Sequence, residues 1–256
     1  MGSNSRTIKS VENALDIIDV LKERDGATLS ELADSVGLSP GTVHTYLTTF
    51  AQQGYVDKQG GNEYALDLEF LHLGSHIRER IPIYKHGKSA ADELAWITGD
   101  VTQLAVESGG VVHILYSTRG DKESLKGPTP SGGTLPMHVT AAGKAILAEL
   151  PDAHIESIID EHGLEPFTEY TIADRAVLVD ELSSIRETGY ARNDEEQTIG
   201  ATTLAKAVHR PDGSVVGSIG VSGTVGRFET KDTDTLVSEL TEAANQIEIN
   251  IHNEIG

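Results

Sequence analysis

Side chains able to do chemistry concentrate in a few stretches of this 256-residue chain. Between Ser39 and Gln52, helical spacing puts Gly41, His44, Thr45, Thr48, Thr49 and Gln52 on one face. These are small or hydrogen-bonding groups suited to base edges and phosphates in a DNA groove. With Ser39 and Thr42 at the helix start, the candidate DNA contacts are Ser39, Gly41, Thr42, His44, Thr45, Thr48 and Thr49. From Ser35 to Val56 there is no Asp, Glu, Lys or Arg, in a chain that is 23% charged. A random 22-residue window would be empty roughly three times in a thousand on that composition. A surface that meets a polyanion must exclude carboxylates; the alternative is an ordinary buried helical hairpin.

A second stretch, LPMHVTAAGKAILAEL from Leu135 to Leu150, places a helix N-terminus just after Met137 and His138. Thr140 is its cap, and Ala141, Ala142 and Gly143 leave backbone N–H groups unobstructed, an anion site suited to a carboxylate. A small-residue helix packed closely on a sheet explains the same residues. Gly143-Lys144 is not a nucleotide loop, because His138 stands where a glycine is needed and Ala145 where Ser or Thr is needed. A third stretch, Gly189 to Val208, clusters Asn193, Asp194, Glu195 and Glu196. Asp194 and Glu195 suit acid and base roles, or acceptance of hydrogen bonds from ligand hydroxyls, although runs of acids are usually solvated. Without a cysteine nucleophile, a G-x-S-x-G or a metal cluster, an enzyme is the alternative rather than the reading. His72 and His76 are four apart, but no third ligand lies near, so no metal and no cofactor is expected.

Elements must hold these groups in place. Thr28 with Glu31 fits a capping box, Leu32, Ala33 and Val36 form an apolar face, and Gly37 ends that helix. Ser39-Pro40 restarts as N-cap and N1, and Val43, Tyr46, Leu47 and Phe50 form the packed face of the second helix. Helix, tight turn, helix is the helix-turn-helix signal. Ser10 to Leu21 supplies a helix before it; Tyr55-Val56 and Tyr64 to Leu66 flank Gly60-Gly61-Asn62 as a two-stranded wing. Met1 to Lys9 is a polar tail with Arg6 and Lys9, a DNA-touching arm or a frayed end.

Leu68 to Arg80 reads as a linker helix ended by Pro82. Beyond it, a helix over 84–97, a hairpin of Val101 to Val106 and Val111 to Tyr116 through Gly109-Gly110, and a loop over Lys122 to Thr134 are expected. Helices over Thr140 to Leu150, Ala153 to Ile159 and Asp174 to Glu187 follow. Strands Leu204 to His209 and Val215 to Val221 and a closing helix from Asp232 to Ile251 complete the reading. The fold class is α+β: residues 1–66 a winged helix-turn-helix, 67–82 a linker helix, 83–256 a second domain.

Forty acids against twenty bases give a net charge of −20, which argues against nucleic-acid binding in dilute salt. In concentrated salt that objection weakens. Six phosphate contacts lose roughly five decades of affinity for a tenfold rise in salt, so hydrogen bonds and apolar contacts must carry recognition. A salt-in halophile is expected, an acidic mesophilic protein being the alternative. There are no cysteines, no apolar run of eighteen residues and no signal-peptide pattern, so a cytoplasmic protein with no membrane partner is expected.

SVENALDII, LSPGTVHTYL, GYV, LPMHVTAAGKAILAEL, GYARNDEEQTIGATTLA and GSIGVSG resemble, in order and spacing, the IclR-type transcriptional regulators, over roughly Ser10 to Ile251. The resemblance implies a C-terminal mixed α/β, GAF-like effector-binding domain and a homodimer or homotetramer on a palindromic double-stranded DNA operator. It implies a regulator of a catabolic pathway whose effector is a small organic acid, with a sugar-acid intermediate the choice here; the acidic balance adds the expectation of a haloarchaeal member. Carried over by position, the effector-binding residues are Met137, Thr140, Ala142, Gly143, Asp194, Glu195, Thr203 and Ser222. Thr45 departs from an arginine common in the family, and Asn193 and Thr203 stand where some members have an acid and a cysteine.

Overall fold

The computed structural model describes residues 7–120 and 129–255. Arg6 of the expected arm and residues 122–128 of the expected loop lie outside these. The chain divides into two compact units, Met1–Ile77 and Arg78–Gly256.

In the first unit, α1 (Lys9–Arg24) is followed by β1 (Ala27–Thr28), α2 (Leu29–Val36), α3 (Pro40–Gln52), β2 (Val56–Lys58) and β3 (Glu63–Leu66). Local chemistry sets these boundaries. Thr28 and Glu31 cap each other's backbone N–H groups as a reciprocal box, and Gly37 leaves the helix with φ 66°. Ser39 accepts from Thr42 N at the start of α3, with Pro40 in the first turn. Ile17 and Leu21 of α1, Leu32 and Ala33 of α2, and Val43 and Leu47 of α3 close one core with Val56 and Tyr64. The wing has three strands rather than two, in order β1-β3-β2, because Ala27 and Thr28 pair with Tyr64 and Glu63. The linker helix α4 spans Glu69–Glu79 and buries none of its residues.

In the second unit Pro82 opens a helix as well as closing one: α5 is Pro82–Thr98. Then come β4 (Val101–Ser108), β5 (Val111–Arg119), β6 (Thr134–Pro136), α6 (Ala141–Glu149), α7 (Asp152–His162) and α8 (Arg175–Thr188). β7 (Ala191–Asp194), β8 (Ala201–His209), β9 (Val215–Thr224), α9 (Val225–Glu229) and α10 (Thr233–Ile255) complete it. One antiparallel sheet, ordered β6-β5-β4-β9-β8-β7, runs through the unit. The expected hairpin is present, with Gly109 and Gly110 at φ 63° and 76°.

Strand alternation feeds two cores. Leu104, Leu204, Ile219 and Val221 pack with α5 and α10 on one face. Ala105, Val112, Ile114 and Ala205 pack with α6, α7 and α8 on the other. This antiparallel sheet with helices on both faces is the α+β class expected from the pattern. The strands β1, β6 and β7 and the helix α9 were not expected. They are two to five residues long, and the strands among them owe their existence to a partner rather than to their own residues.

Candidate functional site

Period-two alternation in β7, β8 and β9 decides what the second unit offers a ligand. Asn193 pairs across the ladder with Thr203, and Thr203 with Ser222, so these three form one cross-strand row. Thr203 Oγ1 and Ser222 Oγ share a hydrogen bond of 2.8 Å. The row faces the start of α6, and together with Thr140, Ala141 and Ala142 it lines a cavity of about 70 Å³. The other walls are Gln103, Ile114, Thr129, Leu135, Gln197, Thr198 and Ala201.

Among the described residues, every group lining this cavity is uncharged. Thr140 Oγ1 caps α6 by accepting from Gly143 N at 2.9 Å. The N–H groups of Ala141 and Ala142 belong to the first turn, where no intrahelical acceptor exists, and turn the positive end of the helix toward the cavity. Gln103 Nε2 donates to Thr129 O at 2.7 Å, and Gln197 Nε2 to Thr129 Oγ1 at 3.4 Å. Asn193 is itself locked, donating from Nδ2 to Val139 O at 2.5 Å and accepting Glu196 N at 3.2 Å. Among the described residues, the arrangement offers a small polar molecule, and an anion in particular, hydrogen-bonding groups and a helix N-terminus rather than ionised side chains.

Of the eight effector residues expected from the sequence, Thr140, Ala142, Thr203 and Ser222 come together here. Met137 lies in the core beneath α6. Gly143 is where α6 passes its own lead-in: a Cβ there would sit 2.2 Å from Met137 O. Asp194 and Glu195 do not line the cavity. Asp194 occupies the row with Thr202, one residue out of phase with Asn193, and so projects to the opposite face of the sheet. Its carboxylate accepts from Arg192 Nε at 2.6 Å, which raises the arginine above its ordinary value. Glu195 adopts φ 60° and accepts Gly200 N at 2.6 Å, closing the turn into β8. Both instead line a separate hollow on that opposite face, with Arg192, Thr202 and Lys231.

Sequence reasoning passed over Asn193 as a lining group because β7 was not read as a strand; the alternation Ala191 in, Arg192 out, Asn193 in was the available signal. Lys144 is also accounted for. It is 1% exposed and donates to Glu196 at 2.7 Å and Glu181 at 3.0 Å, away from any phosphate role. Burial raises the Glu196 carboxyl, with Lys144 opposing that rise, and Glu196 Oε2 is buried without a partner. Among the described residues no group of three metal-ligating side chains assembles, and no helix is long and apolar enough to cross a membrane. His72 is exposed and lies 3.7 Å from Glu69.

In the first unit, α3 buries Val43 and Leu47 and half-buries Tyr46 and Phe50. Ser39, Gly41, Thr42, His44, Thr45, Thr48 and Thr49 are all exposed on one continuous side. Three hydroxyls turn back along the helix: Thr45 Oγ1 donates to Gly41 O at 3.0 Å, Thr48 to His44 O at 2.8 Å and Thr49 to Thr45 O at 2.9 Å. Ser39 and Thr42 hydroxyls bond each other at 2.8 Å.

Comparison with known proteins accounts for both units. The family model described as IclR helix-turn-helix domain matches residues 10–60, and that described as Bacterial transcriptional regulator IclR C-terminal matches residues 76–249. A probable HTH-type transcriptional regulator ArcR from Halobacterium salinarum is 32% identical over 96% of this chain and 95% of its own. The transcriptional repressor IclR of Escherichia coli is 28% identical over 91% and 85%. Among solved structures, an IclR homologue from Microbacterium hydrocarbonoxydans complexed with 4-hydroxybenzoate has the same fold, with a TM-score of 0.81 at 18% identity over 94% of this chain and 98% of that one. Matched over both units and along nearly its whole length, the chain belongs to the IclR family of DNA-binding transcriptional regulators.

Proposed function

We propose that this regulator controls a catabolic gene set in response to a short hydroxylated carboxylate, such as a product of sugar-acid breakdown. The observation that carries the reading is the uncharged row Asn193, Thr203 and Ser222 set against the start of α6. In this reading the Ala141 and Ala142 N–H groups receive the carboxylate. Thr140, Thr203 and Ser222 bind hydroxyls, with Asn193 and Gln103 added to the residues expected from the sequence. Size bears on the choice: the described residues enclose about 70 Å³, the space of a few water molecules, which suits an acid of two or three carbons better than an aromatic one.

The exposed side of α3 is proposed to enter the major groove. Apolar residues left exposed at the start of and along α1 (Ile8, Val11, Leu15) and along α4 (Leu71, Leu73, Ile77) support pairing of two copies, as a palindromic operator requires. A net charge of −20 supports a cytoplasm of concentrated salt.

Thermal unfolding in molar KCl against a panel of short organic acids tests the effector. A true ligand at 100 times its dissociation constant stabilises by about 2.7 kcal/mol. Thr203→Val is expected to weaken that ligand by up to about tenfold, from one lost hydrogen bond, and Asp194→Asn to leave it unchanged. Silence across the panel, together with equal operator affinity with and without saturating acid, would overturn the reading.

A further inference from the structure

We infer that α3 reads its operator chiefly as a surface of methyl groups and hydrogen-bond acceptors, selecting thymine methyls and the exocyclic amines of adenine and cytosine over the acceptor edge of guanine. The inference deepens the assignment of α3 as the groove-entering helix and rests on it.

The hydroxyl geometry carries the argument. A free threonine hydroxyl both donates and accepts. In α3 the protons of Thr45, Thr48 and Thr49 are committed to the carbonyls four residues earlier. With Oγ1 turned back along the helix, each of these exposed residues presents its remaining lone pair and its Cγ2 methyl outward. Ser39 and Thr42 spend one hydroxyl proton on each other, and Ser39 Oγ also accepts Thr42 N. In the major groove an outward acceptor has two partners, the N6 amine of adenine and the N4 amine of cytosine, and an outward methyl has one, the thymine 5-methyl. Guanine offers only acceptors there, and its usual reader is the bidentate arginine or lysine. Neither residue occurs between Ser35 and Val56. His44, Gln52 and the second hydroxyl proton of the Ser39–Thr42 pair remain as donors on this face, fewer than the acceptors and methyls it carries.

Charge reinforces the point. Residues 1–77 carry five Lys and Arg against eleven Asp and Glu, so phosphate attraction is weak and base-edge contacts must supply most of the affinity. Gly41 leaves the first turn low, with only Ser39 Oγ within 4.0 Å of where a Cβ would stand, so base edges can approach there.

The test uses the full-length protein and a random duplex library selected in molar KCl, the enriched duplex then being resynthesised with uracil for thymine. Each lost methyl contact is worth about fourfold, so one per half-site predicts about fifteenfold weaker binding. Thr45→Ser/Thr48→Ser/Thr49→Ser, checked for an unchanged unfolding midpoint, keeps the hydroxyls and removes the methyls. It should lose affinity for the thymine duplex and lose none further on the uracil duplex. Equal affinity of the wild type for both duplexes, or a triple variant as sensitive to uracil as the wild type, would overturn the inference. Failure of the library to enrich at all would instead overturn the placement of α3 on DNA.

Discussion

Lys144 is the residue with most at stake in the second unit. Its ammonium is buried between Glu196 and Glu181, close behind the cavity-lining turn of α6. Removing one partner of a buried pair leaves an uncompensated charge, so Lys144→Met should cost about 3–5 kcal/mol in urea unfolding. Lys144→Met/Glu196→Gln should recover most of that; equal losses in both variants would show that packing, not charge, sets the cost. His138 supplies a pH handle. It is 3% exposed, and burial lowers its pKa, while its hydrogen bond with Glu165 O at 3.0 Å works the other way. A histidine depressed in the folded state contributes stability above its unfolded value of about 6.5, lost as pH falls through the folded value. Wild type should therefore lose stability relative to His138→Gln as pH is lowered from about 7 to 5; parallel pH profiles would contradict this.

Among the elements, the helix-turn-helix was legible residue by residue because its signals are local. Thr28 and Glu31 lie three apart, Gly37 ends α2 at positive φ, and Ser39-Pro40 starts α3. Thr28→Ala should cost about 1 kcal/mol of first-unit stability, read by thermal unfolding, whereas Thr28→Ser should cost little. No difference between the two would mean that the cap is dispensable. The short strands were not legible for the opposite reason. Ala27 and Thr28 are extended because Tyr64 and Glu63 lie beside them, and Thr134 to Pro136 because of Val111 to His113. A segment of two to four residues has too little pattern of its own to declare a strand. Missing β7 mattered most, since without its alternation nothing separates Asn193, on the cavity side of the sheet, from Asp194, on the opposite face.

For the molecule as a whole, charge sets the operating conditions. Each phosphate contact contributes about −0.9 to the slope of log affinity against log salt. With five basic residues in residues 1–77, that slope should be no steeper than about −4.5 per protomer. A steeper slope, measured from dilute to molar KCl, would place phosphate contacts beyond the first unit.

The sequence by itself determined the family, the helix caps and the uncharged face of α3, because each depends on residues within a few positions of one another or on composition. Only the tertiary structure decided that Asn193, Thr203 and Ser222 share a row, that β4 lies beside β9, and that Lys144 is spent on Glu196. Those outcomes follow from which distant strands pair and in what register. A one-residue change of phase exchanges cavity for solvent, and no local preference encodes it.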